Sequence, residues 1–283
     1  MKKQFILIGA GILLFCILFF FVRTTPNKKT LASSDKDSVS LKAFDVLNFI
    51  QQEKAKLTSE NAILVTKLEN SISRGDIPSQ QIKSNEALAS FWKDSAKLYE
   101  GYVFYISKAA KLENSEKNLT FAARLYLDNL RGEKDDGKLA WKTAESIDLF
   151  NRAIKINPLN DDLRIGLGSS YIYGKGRSGN PAETMQGIQE LLTVVKKDST
   201  NMKAQMMLGI GGVVSGQFAK AIERLNKVVA IEPNNVEAVA YLADAYAGTG
   251  KKEEAIRWYN VSKRLINDTH YTDEVNERIK KLK

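Results

Sequence analysis

The chain has 283 residues and a mass of 31.6 kDa, with 43% hydrophobic and 27% charged residues, five prolines and one cysteine. That balance excludes collagen, a disulfide scaffold and wholesale disorder, and leaves one or two compact domains or a repeat array. The net charge of +9 is concentrated at the start, where Lys2, Lys3, Arg23, Lys28 and Lys29 stand without an acid; the 42 basic residues less these five leave 37 against 33 acids, or +4. Acids and bases are interspersed along the rest, so the basic stripe that a phosphate backbone requires is missing and no nucleic-acid partner is expected.

In chain order, Phe5 to Val22 is an unbroken run of apolar residues and glycine. As a helix it spans about 27 Å, close to the hydrocarbon thickness of a bilayer. The run is longer than a usual signal-peptide core and no small-x-small site follows it closely, which favours an uncleaved signal anchor over 1–23. Cys16 follows Phe15 and precedes six more apolar residues, so it reads as a membrane-helix residue rather than a lipid-attachment site. Positive charges nearly tie across the segment. The short N-terminal tail resembles that of bacterial signal anchors that leave the body outside the cytoplasm, and an extracytoplasmic body, on the periplasmic side of an inner membrane, is the expectation. Residues 24–39 are polar and form a tether.

Residues 40–79 read as one long helix and a turn. No Gly or Pro occurs from Ser40 to Ser73, and Leu47, Ile50, Leu57, Leu64 and Leu68 fall in a heptad with Lys54 and Asn61 in the same seam. Such a helix would run roughly 50 Å. Its stripe packs on neighbouring helices of its own chain or, as the alternative, makes a dimeric coiled coil through Asn61. Over 80–160, Lys83 to Asn114 reads as a degenerate helical hairpin. Thr120 to Leu130 pairs with Trp141 to Ile156 across a loop at 131–140.

Stretches starting at Asp161, Met202 and Val236 then align, the last two starts 34 residues apart. Their first helices carry Leu167-Gly168, Leu208-Gly209 and Leu242-Ala243; their second carry Gly187 and Leu191, Ala221 and Leu225, Ala255 and Tyr259. Small residues at these places let antiparallel helices approach closely, Pro158 and Pro233 stop the second helices, and Asn160-Asp161, Asn201 and Asn234-Asn235 supply N-cap oxygens. This pattern resembles the tetratricopeptide repeat family, with three units at 161–201, 202–235 and 236–268. The resemblance implies an all-α solenoid, and the run from Phe5 to Val22 puts an N-terminal transmembrane helix before it. Thr272-Asp273-Glu274 opens a capping helix within 269–283, lined by Tyr271, Val275, Ile279 and Leu282.

Chemistry is not expected. Gly174-Lys175-Gly176-Arg177-Ser178-Gly179 spells G-x-G-x-x-G but lies in an insertion between two helices, where no strand precedes it; the residual reading is a flexible basic loop for an anionic partner. His270 is the sole histidine, so neither a metal site nor a Ser-His-acid triad assembles, and no enzyme activity, cofactor or metal is expected. In the family, set positions of each first helix face a concave peptide-binding surface. The resemblance places Ile165, Ser169, Ile172, Lys203, Met206, Met207, Ile210, Val213, Val214, Tyr241 and Asp244 there. The basic and asparagine clamp with which some family members bind acidic chaperone tails is missing, which points to an apolar or basic partner. The resulting expectation is a membrane-tethered scaffold binding a protein or peptide; the alternative is a structural homo-oligomer joined through 40–73.

Overall fold

A computed structural model describes residues 44–74, 77–177 and 181–283. These fold into thirteen α-helices with no strand among them. No helix among the described residues is long and apolar enough to cross a membrane; the expected anchor and tether lie outside them.

The expected single helix over 40–73 is instead two: α1 (Val46–Lys54) and α2 (Ser59–Arg74). Leu57 N donates to Lys54 O, closing a turn, and Asn61 N bonds Thr58 Oγ1, so Thr58 restarts the chain as an N-cap. Lys54 Nζ pairs with Glu69 at 2.5 Å across this hairpin. The heptad is therefore not one seam: Ile50 is buried, Leu57 and Leu68 pack against the same intrachain core, and Leu47 and Leu64 stay exposed. A coiled coil through a continuous 40–73 stripe has no helix to stand on.

Helix α3 (Pro78–Ser90) begins with proline at its first turn, where the missing N–H costs nothing. A wide π-type turn at Phe91–Ser95 carries it to α4 (Tyr99–Glu113), which ends at Asn114 in the left-handed conformation. Three hairpins and a further pair follow. They are α5 (Glu116–Leu130) with α6 (Asp136–Ile156), α7 (Asp161–Ser170) with α8 (Pro181–Lys197), α9 (Met202–Val214) with α10 (Phe218–Ile231), and α11 (Val236–Gly248) with α12 (Lys252–Ile266).

The last three first helices start where the repeat alignment puts them, and Asn160, Asn201 and Asn235 each accept a backbone N–H of the following first turn. Close approach explains the small residues. A Cβ on Gly168 would lie 2.7 Å from Leu191 Cγ, and one on Gly209 2.6 Å from Leu225 Cγ. Gly216 and Gly250, at the same place in successive units, take positive φ to turn the chain between helices.

Helix α13 (Thr269–Leu282) starts earlier than expected, because Asp268 rather than Thr272 is its cap and accepts from Tyr271 N at 2.7 Å. Val275 buries against Ala243, Ala255 and Tyr259. Successive first helices, α5, α7, α9 and α11, touch in order and make one inner face.

Candidate functional site

Five of the expected groove residues are buried: Ile165, Ser169, Ile172, Met207 and Ile210. Ile165, Ile172, Met207 and Ile210 belong to a single core with Leu130, Leu191 and Leu208, so the apolar stripe expected to greet a partner is largely consumed by neighbouring helices. The reason is geometric. When first helices touch each other directly, side chains aimed between them pack sideways and not into the groove.

Met206 is half-buried between two cores and accepts from Asn235 Nδ2 at 3.4 Å, and Val213 packs on the second of those cores. Val214 is exposed, near Gly176. Lys203 is exposed opposite Asp162, at 3.6 Å. Asp244 accepts from Tyr259 Oη at 2.6 Å and from Arg278 at 2.8 Å, so it fastens α13.

What the inner face does present is a polar-aromatic cluster. Ser169 and Met207 form part of the floor of a concavity of about 200 Å³, whose walls are Leu127, Asp128, Arg131 and Tyr173. Arg131, just past the end of α5, lies with its guanidinium carbon 4.6 Å from the centre of the Tyr173 ring and pairs with Glu237 of α11 at 2.8 Å. Tyr173 Oη donates to the same Glu237 oxygen at 2.5 Å. Burial, and then the Glu237 carboxylate, push the Tyr173 phenol far above its usual range, so it remains a donor at any physiological pH. Tyr241 is raised for the same two reasons in the same order, with Arg131 opposing. A single ion pair thus bridges the inner face from the C-terminal end of α5 to the first turn of α11.

Two side-chain clamps, the exposed Arg177 and the buried Lys142, hold the segment that presents Arg131. Arg177 donates to Leu130 O at 2.6 Å, a carbonyl left open at the end of α5, and to Glu133 O at 2.9 Å in the loop after it. Lys142, whose side chain is only 2% exposed, donates to Asn129 Oδ1 at 2.5 Å and to Glu133 Oε2 at 2.6 Å, with Glu100 at 3.5 Å.

Arg177 therefore does not belong to a free basic loop. Gly174 and Lys175 complete a second π-type turn, Tyr171–Lys175, and Lys175 pairs with Glu183 at 3.0 Å. Sequence reasoning missed Arg131 because the groove positions were carried onto the three clear units only. The signal was available one hairpin earlier, where Leu127 and Arg131 stand four apart on the continuation of the same face.

A broader concavity of about 680 Å³ follows α2, but among the described residues it is lined by one face of that helix alone and gathers no converging groups.

Residues 215–270 match the tetratricopeptide repeat family. No curated protein sequence matches the chain. Among solved structures, it is similar to YrrB, described as a TPR protein with an unusual peptide-binding site, at 16% identity and a TM-score of 0.46 over 74% of this chain and 97% of that one. PilW, a widely conserved type IV pilus biogenesis factor, is similar at 18% identity and 0.47, over 71% and 92%. MamA from Desulfovibrio magneticus RS-1 is similar at 16% and 0.47, over 69% and 98%. Likenesses this distant carry no argument about partner or activity.

Proposed function

We infer that this chain, a tetratricopeptide repeat protein matched directly over 215–270, is a membrane-tethered scaffold whose inner face receives a segment of a protein partner. The observation that carries the reading is the cluster of Arg131, Tyr173 and Glu237 above a concavity with room for a side chain, on a face built from four successive first helices. A tyrosine ring and an arginine beside a carboxylate, over a floor that is part apolar, is the residue chemistry that dominates peptide and protein recognition. The apolar run from Phe5 to Val22 supports the tether, and the reading puts the body outside the cytoplasm, long domains being translocated largely regardless of flanking charge. The reading assigns no catalytic residue and no cofactor.

A photoreactive amino acid in place of Asp128, in the full chain in its native membranes, tests the groove. It is expected to crosslink a partner that the same group in place of Arg152, on the exposed side of α6, does not capture. Equal capture from both positions refutes the inner face as the site. Labelling of a Leu159→Cys variant by a membrane-impermeant reagent in intact cells, with Cys16→Ser as background, is expected if the body is outside; protection until the cells are opened refutes that placement.

A further inference from the structure

We propose that Arg131 is a built-in occupant of a pocket for a basic side chain, and that a partner segment carrying arginine or lysine enters the inner face by displacing it. The proposal rests on the reading that this face takes a protein segment. The guanidinium already makes the two contacts by which a foreign cation would be recognised, one to an aromatic face at 4.6 Å and one to a carboxylate at 2.8 Å.

Arg131 and Glu237 are unequally committed. The Arg131 side chain is 54% exposed and the Glu237 side chain 18%, so Arg131 can swing into water cheaply while the carboxylate stays in place. Its backbone need not move, because Arg177 holds the carbonyls of Leu130 and Arg131. Once Arg131 leaves, the site holds Glu237 and the Tyr173 hydroxyl, with Asp128 on the adjoining wall making no ion pair among the described residues. That environment attracts a cation. An acidic segment would have to draw Arg131 away from Glu237 and leave that carboxylate unpaired beside Asp128.

The test uses the full chain in lipid nanodiscs and three pools of end-capped hexapeptides that differ only in a central arginine, glutamate or glutamine, the flanking positions being mixed neutral residues. The arginine pool is expected to be retained above the glutamine pool. Arg131→Ala should strengthen retention of the arginine pool by up to about fivefold, as removal of a competing internal occupant of a half-exposed pair would, and widen its lead over the glutamine pool. Glu237→Gln should abolish the preference. Arg131→Gln serves as a second variant, and unchanged melting of each shows that the fold is kept. Preference for the glutamate pool, or a loss or absence of change with both Arg131 variants, overturns the proposal while leaving the groove as a binding face. Retention of no pool by wild type or by Arg131→Ala overturns the groove reading and this proposal together.

Discussion

Replacing Lys142 by methionine keeps the unbranched apolar stem, one atom short of lysine, and removes its charge, and the surroundings set the cost. Glu133 Oε2 loses a partner at 2.6 Å and Asn129 Oδ1 one at 2.5 Å. Removing one member of a buried pair ordinarily costs about 3–5 kcal/mol. Here Glu133 keeps the backbone N–H groups of Lys134 and Asp135 on its other oxygen, and Glu100 keeps Lys138 at 3.0 Å. Their side chains are also 12% and 11% exposed. The expected loss is therefore about 2–3 kcal/mol, below the full penalty, because neither carboxylate is wholly orphaned. Adding Glu133→Gln removes the stranded charge and should restore about 1 kcal/mol or more. Hydrogen exchange over residues 131–156 measures the local opening free energy in each variant. A loss under about 1 kcal/mol, or a double variant no more stable than the single one, would show that Lys142 is not held as an ion in this network.

Two further outcomes follow from the same geometry. Gly168→Ala places a methyl 2.7 Å from Leu191 Cγ and 2.9 Å from the Gly187 carbonyl, so it should destabilise by about 1–3 kcal/mol, whereas Gly132→Ala, with nothing within 4 Å, should change stability by less than about 0.5 kcal/mol; equal melting shifts would contradict the close packing. At Glu100 and Glu133 burial alone would raise the carboxyl pKa, but the hydrogen bond from Lys138 to Glu100 and that from Lys142 to Glu133, with the backbone and charge contributions beside them, outweigh it and leave both below the ordinary 4.5. Unfolded carboxylates then take up protons first on acidification, so the stability these groups add is complete above about 4.5 and is lost as pH falls through their folded values; a melting temperature that stays flat down to pH 3 would refute this.

The repeat boundaries were legible because each is written in a local signal. An asparagine cap, a glycine at a helix crossing and a proline past a helix end all act within a few residues, and the structure uses Asn160, Asn201 and Asn235 as the spacing implies. The break between α1 and α2 was hidden by the absence of Gly and Pro, although Thr58 before Ser59-Glu60 is itself an N-cap signature. The burial of nearly half the expected groove was hidden for a different reason. Whether Ile210 or Met207 faces a partner depends on how closely one first helix sits against the next, which no single helix encodes. The Tyr173 to Glu237 contact joins residues 64 apart, and the Arg131 ion pair reaches across two whole hairpins, so neither leaves a trace in local periodicity.

A stack of similar units always ends on a surface shaped to accept another such unit, and copies of the chain could in principle join end to end through it. Helix α13 occupies that surface with Val275 and turns Lys280, Lys281 and Glu277 outward, and Arg278 fixes it through Asp244. The face left over is charged. An end-to-end contact of the kind that joins neighbouring units would here have to displace α13 or strip water from those charges, which sets its cost well above that of a bare unit end.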